Sequence, residues 1–171
     1  EVRVIVGELM YLLPDALIYR NMDQIVMIQQ VDSEQTELEY QKEMEEKYKI
    51  PVMVCDSVEE AVKGAEIICT VTPSKEPYLK AEWITPGAHI NAVGAFTPNT
   101  REIESSLMAK AKLYADQVEA MKKECGEYLI PKNEGLFGEE HITGSIGGIL
   151  AGQVPGREND TEITLFDALG L

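Results

Sequence analysis

The chain has 171 residues, with 15 basic against 30 acidic side chains and a formal net charge of −15. That is the length of one medium domain, and its negative field opposes binding to phosphate backbones or anionic lipid, so nucleic acid and membrane are not expected partners. No apolar run approaches the roughly 18 residues of a membrane span, no basic region leads an apolar stretch at the start, and Cys55, Cys69 and Cys125 lack C-x-x-C spacing, which together predict a reduced, cytoplasmic protein.

Short β-rich runs alternate with helical ones, the pattern of a parallel α/β sheet. Val2 to Val6 reads as a first strand, and Leu9 to Tyr19 as an apolar stretch that could be helical except for Pro14. Ile25 to Val31 reads as a second strand. The run D-S-E-Q from Asp32 forms a plausible capping box for a helix from Ser33 to Tyr48, with Tyr40, Met44 and Tyr48 as its buried stripe. Val52 to Cys55 is a third strand. Ser57 and Glu60 cap a short helix that Gly64 ends.

Glu66 to Thr72 (EIICTVT) is a near-continuous apolar run, as expected of a central strand covered on both faces. Another strand, His89 to Val93, follows the Pro86-Gly87 turn. Arg101 to Ala111 reads as helix, Leu113 to Ala115 as a short strand, and Gln117 to about Cys125 as helix. Ile142 to Leu150, despite Gly144, Gly147 and Gly148, is expected to be one helix, and Ile163 to Phe166 the last strand.

In such a sheet ligands sit beyond the carboxyl ends of the strands, where strand order reverses. Gly7, Asp32, Thr72 and Val93-Gly94-Ala95-Phe96 all fall at predicted strand ends. A glycine after the first strand lets a backbone approach a pyrophosphate, but G-x-G-x-x-G is absent and a lone Gly7 more often marks a simple turn. Asp32, 25 residues beyond Gly7, suits a carboxylate on ribose hydroxyls or a plain helix cap. Neither histidine is spaced as a metal ligand, so no metal is expected.

Three blocks then become specific: DSVEEAVKGAEIICTVTPS (56–74), EWITPGAHINAVG (82–94) and PGRENDTEITLFDALG (155–170). In order and spacing they resemble the ornithine cyclodeaminase/mu-crystallin family, which includes amino-acid dehydrogenases and ketimine reductases. The resemblance implies a Rossmann-like, doubly wound, mostly parallel sheet with helices on both faces. It implies that residues 1–171 form the dinucleotide-binding domain, with the family's substrate and dimerisation half absent. Thr72 and Ala168 would contact the cofactor, the Val93, Gly94, Ala95 turn would pass under the nicotinamide, and Leu169 would touch substrate. Gly7 would lie at the pyrophosphate and Asp32 would bind the adenosine ribose. Glu34 and Glu37 beside Asp32 would repel a 2′-phosphate, so NAD is favoured over NADP.

Departures from the family pattern qualify those implications. The glycine-rich turn reads I-V-G-E-L-M at positions 5–10, and a β-branched residue where glycine is needed costs on the order of 1–3 kcal/mol. Phe96 occupies the family's catalytic carboxylate position, so no catalytic residue is assigned, and Thr100 replaces a cofactor-contacting lysine. The leading expectation is hydride transfer between NAD and a small amino acid or cyclic imine. The rivals are a non-catalytic binding protein of the mu-crystallin type and an inactive fragment. A homodimer is expected only if the other half is present.

Overall fold

The computed structural model describes residues 2–6, 25–29, 37–49, 51–72 and 74–169. Eight strands form one sheet: β1 (Val2–Val6), β2 (Ile25–Gln29), β3 (Val52–Val54), β4 (Ile67–Val71), β5 (His89–Ala92), β6 (Lys112–Ala115), β7 (Ile142–Ser145) and β8 (Thr164–Asp167). Their order is β3-β2-β1-β4-β5-β8-β6-β7, and every pairing is parallel. The chain steps outward from β1 to β3 and then returns to place β4 on the other side of β1. A crevice therefore opens beyond Val6 and Val71, which are in register.

Between the strands lie α1 (Glu37–Tyr48), α2 (Val58–Val62), α3 (Ser105–Lys110), α4 (Val118–Glu124), α5 (Gly126–Asn133) and α6 (Ile146–Leu150). The predicted cap of α2 is present, with Glu60 N–H donating to Ser57 Oγ at 3.2 Å, and Gly64 takes the left-handed conformation at φ 74°. Met44 is buried and Tyr48 half-buried in α1. The predicted stretch Leu9 to Tyr19 and the Asp32–Ser33 cap lie outside the described residues.

Two expectations are corrected. Arg101 to Ala111 is not helical throughout: α3 begins only at Ser105. Residues 101–104 run extended because other partners take their backbone groups. Ile103 bridges Leu79, Glu104 N–H donates to Leu79 O at 3.0 Å, and the N–H groups of Glu102 and Ile103 are held by the Glu127 carboxylate. Ile142 to Leu150 is not one helix but β7 followed directly by α6. Ser145 caps α6 by accepting from Gly148 N–H at 3.1 Å. An unfilled side of β6 recruits Ile142–Ser145 into the sheet, a tertiary demand that local periodicity does not reveal.

One large core cluster lies on one face of the sheet. Ile68, Ile90, Leu165 and Leu113 lie in register across four strands and are fully buried under α3, α4 and α5. The next row on that face, one step nearer the carboxyl ends, is Thr70, Ala92, Asp167 and Ala115. The row changes from branched aliphatics to small and polar residues, which leaves room beneath the strand ends.

Candidate cofactor site

Two buried acidic side chains and a half-buried tyrosine fill that room. Glu102, in the extended segment before α3, is fully buried, and its two oxygens receive four donors. Oε1 accepts from Thr72 N–H and from the Tyr78 hydroxyl at 2.7 Å; Oε2 accepts from Thr70 Oγ1 at 2.7 Å and Gly94 N–H at 3.1 Å. Burial and the facing Glu102 carboxylate push the Tyr78 hydroxyl up, so it remains a donor. Thr72 Oγ1 in turn donates to Tyr78 Oη at 3.2 Å.

Behind Glu102 stands Glu127, on the first turn of α5 and 1% exposed. It accepts from Glu102 N–H at 2.5 Å and Ile103 N–H at 3.2 Å. Burial pushes its carboxyl well up, and the negative charge of Asp167 adds to that. Asp167, ending β8, is pushed up to about 8, chiefly by burial. The Cys125 thiol donates to Asp167 Oδ2 at 3.3 Å and is itself raised by burial and by Asp167, while Asp167 Oδ1 has no partner among the described residues. A carboxylic acid in such a place stays protonated at neutral pH.

These groups hold two loops together. Thr72 leaves β4, and Val93 to Ala95 leave β5, with Val93 N–H donating to Thr70 O at 2.9 Å. A Cβ on Gly94 would lie 2.2 Å from both the N and O of Thr72, so only glycine lets the two loops lie this close. At the end of β8, Ala168 N–H donates to Ala92 O at 2.9 Å, and Leu169 packs half-buried against the core. The result is a floor of backbone and short side chains across the carboxyl ends of β4, β5 and β8. Phe96 stands at its margin with 54% of its surface exposed.

The structure thus brings Thr72, Val93, Gly94, Ala95 and Ala168 to one end of the sheet, with Leu169 beside them. Gly7 and Asp32 lie outside the described residues. Thr100 faces Thr97 within a tight turn, their hydroxyl oxygens 2.9 Å apart. Among the described residues no group of three or more His, Cys, Asp or Glu is placed to hold a metal ion.

Sequence reasoning missed Thr70, Tyr78, Glu102 and Glu127. Glu102 and Glu127 carry no motif or spacing in the sequence that marks them as buried. One signal was available: Thr70 interrupts an aliphatic central strand, and a polar group there must have a buried partner.

Residues 13–171 match the ornithine cyclodeaminase/mu-crystallin family. The chain belongs to that family. It is 42% identical over 112 residues to the alanine dehydrogenase of Archaeoglobus fulgidus, covering 66% of this chain and 34% of that protein. It is 45% identical over 120 residues to the mouse ketimine reductase mu-crystallin, covering 70% of this chain and 36% of that protein. The Thermococcus litoralis Δ1-pyrroline-2-carboxylate reductase, solved in complex with NADH and L-proline, superposes with a TM-score of 0.86 at 31% identity. That match covers 99% of this chain and 53% of the reductase chain. The chain therefore spans between about a third and a half of these relatives, and its Rossmann-like fold is theirs.

Proposed function

We propose that this chain is the NAD-binding part of an oxidoreductase that moves hydride between NAD and an amino acid or cyclic imine. The observation that carries this reading is the floor across β4, β5 and β8. Its backbone is closed by Gly94 against Thr72, and its residues Gly94, Ala95 and Ala168 carry short side chains or none, which suits a planar nicotinamide ring. Thr72, Val93, Gly94, Ala95 and Ala168 would hold the cofactor, with Gly7 at its pyrophosphate and Asp32 at its ribose. Bound there, the nicotinamide would supply hydride acceptance or donation. The chain's own part is to orient the ring and keep water away from one side, and the exposed ring of Phe96 suits the second task. Leu169 would meet the substrate.

Phenylalanine at position 96 can neither activate water nor accept a proton. Loss of such general acid–base help typically costs 10²–10⁴-fold, so ammonia elimination with ring closure suffers more than simple redox chemistry. A dehydrogenase or imine reductase is therefore favoured over a cyclodeaminase. A cytoplasmic setting fits the buried, reduced thiols of Cys55, Cys69 and Cys125. The substrate half and any homodimer contacts would come from polypeptide beyond these residues.

Direct titration of the chain with NAD and NADP tests the reading. NAD should bind, weakly, at about −4 to −6 kcal/mol, and more tightly than NADP. Tighter NADP binding would overturn the role of Asp32. In an assay with ornithine and NAD⁺, proline and ammonia should not accumulate; brisk proline formation would show that another residue supplies the base.

A further inference from the structure

We infer that Glu102 is a positioning residue for the cofactor site: one buried carboxylate sets the spacing between the β4 and β5 loops by holding Thr72 N–H and Gly94 N–H at once. This rests on the reading that those two loops form the nicotinamide floor.

The argument lies in how the donors divide. Each carboxylate oxygen takes one hydroxyl and one backbone N–H: Tyr78 and Thr72 on Oε1, Thr70 and Gly94 on Oε2. Hydroxyls can reverse their role and become acceptors, whereas backbone N–H groups cannot. A group that serves both backbone donors must be an acceptor at both ends, and among uncharged side chains of this length none is. Glutamine keeps the volume of glutamate but has one oxygen and one NH₂. Whichever way it is turned, one of the two loops faces a donor and moves away. Gly94 has no slack to absorb that movement, because its backbone already touches Thr72.

Glu102 is itself held in place. Its own N–H and that of Ile103 are bound by Glu127, so the extended segment cannot slide along α5. Tyr78 reaches Glu102 from the loop between β4 and β5, where its N–H also donates to Glu102 O at 2.9 Å. Glu102 itself need not touch the cofactor, so it acts through the Thr72 and Gly94 loops it holds.

The test is Glu102→Gln, with Tyr78→Phe as a milder variant that removes one hydroxyl and leaves both backbone donors bound. Three readouts are compared: NAD dissociation constant, melting temperature, and the amide resonances of Gly94 and Thr72 in the cofactor-free chain. Arg157→Ala, at the opposite end of the sheet, serves as a control for loss of stability alone. Glu102→Gln should weaken NAD binding about tenfold, the equivalent of one orphaned donor, and shift one of the two amide signals strongly upfield. Tyr78→Phe should weaken binding about two- to threefold. The control should leave NAD affinity unchanged, whatever its melting temperature. Wild-type binding with unaltered affinity in the Glu102→Gln variant would overturn the positioning role alone; should that variant fail to fold, unaltered affinity in Tyr78→Phe would do the same. If the wild-type chain binds no NAD, the cofactor reading fails first and the positioning role falls with it.

Discussion

The two ends of the sheet solve opposite problems with opposite charges. At the carboxyl ends, loop N–H groups converge on buried carboxylates: Thr72 and Gly94 on Glu102, Glu102 and Ile103 on Glu127. At the amino ends, loop carbonyls converge on cations near solvent. Arg157 donates to Gly87 O, to Ala88 O at 3.4 Å and to Thr164 Oγ1 at 3.0 Å, and Lys112 donates to Gly156 O at 3.0 Å. His89 links the same end, its Nδ1 2.8 Å from Thr164 Oγ1, and burial holds its imidazole below the usual histidine range. Water can replace Arg157 or Lys112, because both work at the surface. It cannot easily replace Glu102 or Glu127. The candidate site is therefore built on the end where each polar contact is hardest to lose.

The comparison breaks most directly at Glu102. Glu102→Ala orphans four donors, two buried and two half-buried, and is expected to cost about 3–5 kcal/mol, read by denaturant unfolding. A loss below about 1 kcal/mol would mean that water reaches this end as freely as the other. A matched pair of glycines comes next. A Cβ at Gly94 meets Thr72 backbone at 2.2 Å, and one at Gly87 meets Asp160 O at 2.3 Å with φ at +87°. Thr72 is clamped by Glu102, whereas Asp160 lies in an exposed loop that can give way. Gly94→Ala should therefore cost about 2–4 kcal/mol and Gly87→Ala about 1–2 kcal/mol; equal losses would erase the distinction.

A pH series sharpens it. Asp167, at about 8, keeps its proton in the folded chain while the unfolded chain has lost it. The folded state binds the extra proton between the two values, so stability falls as pH rises from about 4 to about 8. Glu102, Glu127, Cys125 and Asp116 are the titratable groups whose charge or hydrogen bond bears on this pair, and Glu127 acts in the same direction. Asp167→Asn should flatten the decline, by on the order of 1–3 kcal/mol between pH 5 and pH 8, seen as converging melting curves. Parallel curves would assign the pH dependence elsewhere. The smallest effect belongs to the amino ends: Arg157→Ala should cost about 1 kcal/mol, and Lys112→Ala, whose partner Glu158 is exposed, about 0–1 kcal/mol.

Much of the fold was legible because it is written in local pattern. Alternating β-rich and helical runs located the strands later seen as β1 to β6 and β8. The Ser57 cap and Gly64 stop marked α2, since a cap needs only neighbours in sequence. Thr72, Val93, Gly94 and Ala95 were placed at strand ends for the same reason, since a parallel strand must end in a loop, whereas Ala168 was singled out by the family resemblance. Composition and charge set the class, and the blocks at 56–74, 82–94 and 155–170 set the family.

What only the tertiary structure decided is where the buried acidic side chains go. The conversion of Ile142–Ser145 from predicted helix to edge strand depended on β6 having an open side. The loss of helix at 101–104 depended on Glu127, a residue 25 positions away that supplies the acceptors those N–H groups would otherwise find in a helix. Glu102 and Glu127 look solvated in the chain because a carboxylate alone prefers water. They are buried because the Thr70, Ala92, Asp167 and Ala115 row leaves space and the loop N–H groups meet there. Partners this distant come together only on folding, and no local window of sequence contains both the acid and the donors that hold it.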